Sequence, residues 1–312
     1  MAEHLTESTD AVAAGAPTAA GSSPQRSLWG DAWHSLRTNW VFWVAAVLIL
    51  TIVVMAAFPG LFTRADPTYC ELSRARQGPS AEAWFGYNLQ GCDVFARTIH
   101  GARASVLVGL FATIGTLVFG SVIGIVAGFY GGWVDTVLSR IGDVFFAIPL
   151  LLGSIIILYT FPNRIDTPFV LMVIKVVLAI VILGWPIVAR IMRSSVLQTR
   201  STEYVMAARA LGAGSLRQIV QHVLPNAFAP VVVVATLNLG QYIATEATLS
   251  FLGIGLQRVV SWGVDISVAS QLGYIQAAPH MLIFPSIFLS VTVLAFILLG
   301  EAIRDALDPK LR

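Results

Sequence analysis

Few residues in this chain could do chemistry, and most of them are ruled out by their spacing. The five histidines are scattered and form no metal-ligand pattern. Cys70 and Cys92 are the only cysteines, and neither belongs to a C-x-x-C pair, so neither a zinc site nor a thioredoxin-type centre is indicated. The two lysines, Lys175 and Lys310, do not follow glycine, so there is no G-x-x-x-x-G-K-[ST] phosphate loop and the chain cannot hold ATP in that way. No Ser-His-Asp or Cys-His constellation can be argued from the sequence. Glu246 and Lys175 remain, each inside a long apolar stretch. A carboxylate there is a functional candidate by default. Lys175 could snorkel to the outer interface or face a substrate path.

Those stretches define the fold class. Of 312 residues, 56% are hydrophobic and only 12% charged, against about a quarter charged in soluble domains. The net charge of +2 does not suggest a nucleic-acid partner. Apolar runs cover roughly 40–62, 104–130, 144–161, 168–189, 228–252 and 281–300, each near the ~20 residues a helix needs to cross a bilayer. An all-α integral membrane protein with about six spans is expected. The fifth run holds Asn238, Gln241 and Glu246, so it should face protein or a water-filled path. Gly120, Gly124 and Gly128 form a small-residue stripe in the second, which reads as a packing seam.

The connections are then placed by charge. With the N-terminus cytoplasmic, the inner connections carry more Lys and Arg than the outer ones, so both termini lie inside and 63–103 is an extracytoplasmic loop. Both cysteines fall in that loop, where an oxidising compartment favours a Cys70–Cys92 disulfide. Residues 1–25 read as a disordered cytoplasmic tail without the charged start and short apolar core of a signal peptide. In 26–39, Trp29, Trp33 and Leu36 share a helical face that continues to Trp40. This predicts an interfacial amphipathic helix, or else a plain aromatic belt. The first span is 40–62, five further helices occupy 104–300, and 301–312 is a cytoplasmic tail.

The basic connection 190–227 carries helix punctuation. Ser201 or Thr202 can cap a helix from Glu203 to Leu211, with the acid in its first turn. Gly212 can end it in the left-handed conformation. Ser215 and Gln218 can form a capping box opening a second short helix, which Pro225-Asn226 stops. Tyr204, Val205, Ala208 and Leu211 would need an apolar cover that the bilayer cannot fully supply.

This segment, EYVMAARALGAGSLRQIVQHVLPN, resembles the cytoplasmic "EAA" loop of ABC importer permeases. Ala207 and Ala208 match the two alanines, Gly212 the glycine, and Leu224-Pro225 the closing pair. Met206 replaces the usual Glu and His222 the usual Ile, as in the peptide-importer branch. GCDVFARTIHGARASVLVG, GFYGGWVDTVLSRIGDVFFAIPLLL, EATLSFLGIGLQ with SWG, and LLGEAIRDALDP, in that order, are similar to the C-type subunit of dipeptide, oligopeptide and nickel permeases. The resemblance implies a type I importer fold and a prokaryotic cytoplasmic-membrane location. It also implies a homologous B-type permease subunit, two ABC ATPase subunits that bind ATP and magnesium, and an extracytoplasmic substrate-binding protein. No cofactor is expected in this chain, which would not itself be an enzyme. Glu203, Tyr204, Ala207, Ala208, Arg209, Gly212, Leu224 and Pro225 would dock the ATPase, with Glu246 and Lys175 as candidates for the path. Two other classes compete. A membrane enzyme would need more ionisable residues in the spans, and a secondary transporter would usually show inverted repeats with paired broken helices. Dipeptides, longer peptides, nickel chelates and haem-like ligands stay open as substrates.

Overall fold

The computed structural model describes residues 28–307, all helix and loop apart from two isolated β-bridges. The expected tail at 1–25 and the last residues, 308–312, lie outside it. The helices are α1 (Leu28–Thr38), α2 (Trp40–Ala57), α3 (Val94–Tyr130), α4 (Gly132–Phe146), α5 (Leu150–Thr160), α6 (Phe169–Arg200), α7 (Glu203–Ala210), α8 (Ser215–Arg217), α9 (Leu224–Ala227), α10 (Ala229–Phe251), α11 (Trp262–Ala269), α12 (Leu272–Ala277) and α13 (His280–Leu307).

Four of them, α2, α3, α6 and α13, are long and apolar enough to cross a bilayer alone. Two bent pairs raise this to as many as six if each is one span: α4 with α5, at 82°, and the run Ser215–Ala227 with α10, at 58°. Pro149, the N-cap of α5, lies in the first break, where its ring cannot follow a helical turn. The continuous third span expected over 144–161 is therefore not one helix. α4 packs on α3 and α6, with Asp135 and Asp143 turned to arginines of α6. α5, with 11 residues, rises only about 17 Å.

Other boundaries move outward because polar residues extend helices beyond the apolar runs. α3 starts at Val94, capped by Asp93, whose carboxylate accepts from Phe95 N (2.7 Å) and Ala96 N (3.2 Å). The last quarter of the expected loop 63–103 is thus helical. α6 continues to Arg200 and α13 to Leu307, well into the expected C-terminal tail, while α2 ends at Ala57, short of 62.

α3 and α6 form the central pair. A Cβ on Gly120 would stand 2.8 Å from Trp185 O, on Gly124 2.5 Å from Ala189 O, and on Gly128 2.9 Å from Arg193 O. The glycine stripe is the seam that lets these backbones touch. Arg200 closes it at one end, donating to Gly128 O (2.8 Å) and Phe129 O (3.0 Å), the open carbonyls at the end of α3.

That bond fixes the polarity of the bundle. The ends of α3 and α6 lie together beside α7, and the start of α3 lies at the opposite end. There, residues 58–93 fold as short turns tied by the Cys70–Cys92 disulfide. α11 covers this end: Trp262 is fully buried and donates to Thr98 O at 2.8 Å, and Arg97 Nε donates to Asp265 at 3.0 Å. Phe85 stacks on Phe284 at 3.8 Å.

Candidate coupling surface

Only Ser201 and Thr202 separate α6 from α7. Thr202 is the N-cap by backbone, but its hydroxyl donates back to Thr199 O (2.7 Å), so the expected side-chain cap is not made. Glu203 sits in the first turn, where a carboxylate favours the helix dipole. The end of α7 follows the sequence closely. Gly212 has φ +86°, its N–H donates to Arg209 O, and Ala213 N donates to Ala208 O, both at 3.0 Å. These two bonds and the left-handed glycine make a Schellman cap.

The second helix differs from expectation. Gly214, not Ser215, is its N-cap, and Gln218 turns back to donate to Ala213 O at 2.6 Å, so no capping box forms. Nor does Pro225 end it. The chain widens to a π-helix over Gln218–Val223, with Leu224 N donating to Ile219 O, and continues through α9. Pro225 offers no N–H and its ring would crowd the carbonyl of the preceding turn. A widened turn makes room, and the axis then bends into α10.

Packing divides the expected contact residues. Val205, 3% exposed, is not free for a partner. It enters a cluster with Val188, Met192 and Val196 of α6, Val223, Ala227 and Val231. Ala208 is half-buried and Leu224 packs at the edge of the same cluster. Tyr204 is held in place: its hydroxyl accepts from Asn226 Nδ2 at 3.0 Å, and Asn226 also donates to His222 O at 3.1 Å. Ala207, Arg209, Glu203, Gly212 and Pro225 are exposed. So are four apolar side chains that carry the surface: Met206, Leu211 (89% exposed), Leu216 (75%) and Val220. Of these the sequence reading had singled out only Leu211. The others could have been found from apolar residues on helices too short and too flanked by arginine to enter a bilayer.

Beside this projection, Arg193 of α6 donates to Asp135 at the start of α4, with Nη2 to Oδ2 at 2.6 Å. Ser139 adds a hydrogen bond to the same carboxylate. Arg190 stacks on Phe146 (4.1 Å to the ring centre) and donates to Asp143 at 3.1 Å. These contacts fasten α4 to α6.

Residues 120–312 match the model for the binding-protein-dependent transport system inner membrane component, which is most of the chain. The chain belongs to that family. Residues 27–79 also match the N-terminal transmembrane domain of oligopeptide transport permease C. Among relatives of this permease, a dipeptide transport system permease protein of Alkalihalophilus pseudofirmus is 39% identical over 92% of this chain and 91% of its own. An oligopeptide transport system permease protein of Bacillus subtilis is 38% identical over 93% and 92%. A glutathione transport system permease protein of Pectobacterium atrosepticum is 34% identical over 92% and 93%. Solved structures share the fold. The permease superposes on an inward-facing form of the MetNI methionine ABC transporter with TM-score 0.53 and 18% identity, covering 68% of this chain and 96% of that one. An amino acid ABC transporter gives TM-score 0.51 and 19% identity over 66% and 91%.

The two path candidates do not behave as expected. Glu246 has no exposed surface: Oε1 accepts from Ser250 Oγ at 2.7 Å, Oε2 is buried without a partner, and Ser250 Oγ in turn accepts from Leu256 N. It faces the inside of the chain because Tyr242, Ile243 and Leu249 share its side of α10. Lys175 is half-buried and donates to Pro162 O (3.0 Å), reaching toward the disulfide end as the snorkelling reading has it. No bond joins the two among the described residues.

Proposed function

We propose that this permease imports peptides, and that it shares the path with a homologous B-type subunit. Two ATPase subunits, which hold the ATP and magnesium, dock on the α7 end. An extracytoplasmic binding protein delivers substrate at the disulfide end. The α7 end and both termini then face the cytoplasm, with α1, which packs along α13, lying in the inner interface. One observation supports the coupling role above others: Leu211 and Leu216 stand out of a capped, internally packed projection with none of the described residues covering them. Peptide cargo is supported by the dipeptide and oligopeptide transport relatives.

The test is reconstitution of the full complex in proteoliposomes. Peptide-loaded binding protein should stimulate ATP hydrolysis and accumulate labelled peptide inside. Stimulation by a nickel chelate or a haem but by no peptide would overturn the cargo assignment.

A further inference from the structure

The helix α10 has two faces, and the exposed one was not the one the sequence favoured. Gln241 is exposed, near the middle of α10, about 15–18 Å from either end. It lies roughly 140° around the helix from Glu246, at about 100° per residue. No hydrogen bond within the chain engages its carboxamide among the described residues. One turn earlier Asn238 Nδ2 is buried with no acceptor. Elsewhere the mid-span surface is hydrocarbon: α3 exposes Leu110, Phe111, Ile114 and Val118, and α6 exposes Leu171, Ile174, Leu178 and Ile182. An exposed, unpaired carboxamide at the depth of those residues costs several kcal/mol in lipid, where no partner exists. The Gln241 face therefore meets water, protein or substrate rather than acyl chains.

The same face continues toward the disulfide end through Ala244, Thr248 and Phe251. It opens there into an uncharged groove of about 230 Å³ also lined by Ala247 and Ile266. The Thr248 hydroxyl is engaged with Ala244 O (2.8 Å), so the groove offers a smooth, mainly apolar wall.

We propose that Gln241 contacts the peptide backbone on the translocation path, with the groove at Thr248 and Phe251 taking side chains as they pass. A carboxamide presents both a donor and an acceptor, the complement of a peptide unit. It carries no charge, so it does not sort peptides by their side chains. This rests on the peptide-import reading and names the surface that would carry it out.

The experiment uses the assembled complex with Gln241→Cys. The chain's own two cysteines are bridged to each other, so the new thiol is the single free one it contributes. A small hydrophilic thiosulfonate should label it, with the unmodified complex as background, while Ile182→Cys on α6 should stay unlabelled. Tri-alanine, tri-lysine and tri-glutamate, each delivered by the binding protein, should all slow labelling. Gln241→Leu should lower uptake of the three by a similar factor, about tenfold for one lost hydrogen bond of ~1.4 kcal/mol, with complex assembly unchanged. Labelling no faster than Ile182→Cys overturns the proposal. So does labelling that no transported peptide slows, or loss of assembly in Gln241→Leu, which would make the face a subunit seam. If the unmodified complex moves no peptide while Gln241→Cys is still labelled, the cargo reading fails and the hydrated face stands.

Discussion

Val205 and Leu211 lie six residues apart on one short element, and the structure gives them opposite roles. Val205→Ala removes two buried carbons from the cluster that joins α7 to α6. At about 0.8 kcal/mol per carbon, plus the cavity left behind, the loss is about 2 kcal/mol of stability. Leu211→Ala removes nothing that this chain packs, so its stability should stay within about 0.5 kcal/mol of the parent. If Leu211 fills a groove on the ATPase, losing three carbons there costs about 2 kcal/mol of binding, or roughly a 30-fold weaker complex. Two measurements on the purified permease separate the effects: thermal unfolding in detergent, and titration with the ATPase subunit. Val205→Ala should shift mainly the first and Leu211→Ala mainly the second. Should Leu211→Ala bind the ATPase within twofold of the parent, the exposed apolar projection is not the docking surface and the coupling role loses its physical basis.

Three further outcomes follow from the packing. Gly124→Ala would place its Cβ 2.5 Å from a backbone oxygen of α6, so folded yield should fall sharply, whereas Gly214→Ala, with nothing within 4 Å, should leave yield near normal; size-exclusion profiles after extraction check this. Asp135→Asn removes the charge that pairs with Arg193 at the start of α4, so it should unfold at a lower temperature than the parent at pH 7, as melting curves in detergent would show. Glu246→Gln keeps the shape and the Ser250 contact of a side chain that faces inward, so peptide uptake should survive it, while Glu246→Ala should lower expression; uptake abolished in Glu246→Gln with assembly intact would put the carboxylate back on the path.

The spans were legible because hydropathy over twenty residues is a strong signal, and the Schellman cap because Gly212 is the one residue type that suits its φ. What the sequence hid was direction. Glu246 and Gln241 are both polar residues within the same apolar run, and only the packing of Tyr242 and Leu249 decides which of them faces inward. Pro225 misled for a related reason. A proline signals a stop when the helix before it keeps its pitch, and here the pitch changes to admit it. The third span was missed as one helix because an apolar run says nothing about a sharp bend, and the ion pairs that hold α4 to α6 join residues far apart in sequence.

The short joint between α6 and α7 has a mechanical meaning. With two residues of connection and Val205 sunk into the ends of α6, α9 and α10, there is no slack for α7 to move alone. Close-packed side chains transmit displacement rather than absorb it. A push of an ångström or two on Leu211 is delivered across the 58° bend, because Ala227 and Val231 lock both of its sides into one cluster. If the ATPase docks on this projection as proposed, the projection and the Gln241 face of α10 would form two arms of a single crank, with work on one arm turning the other through their shared packing.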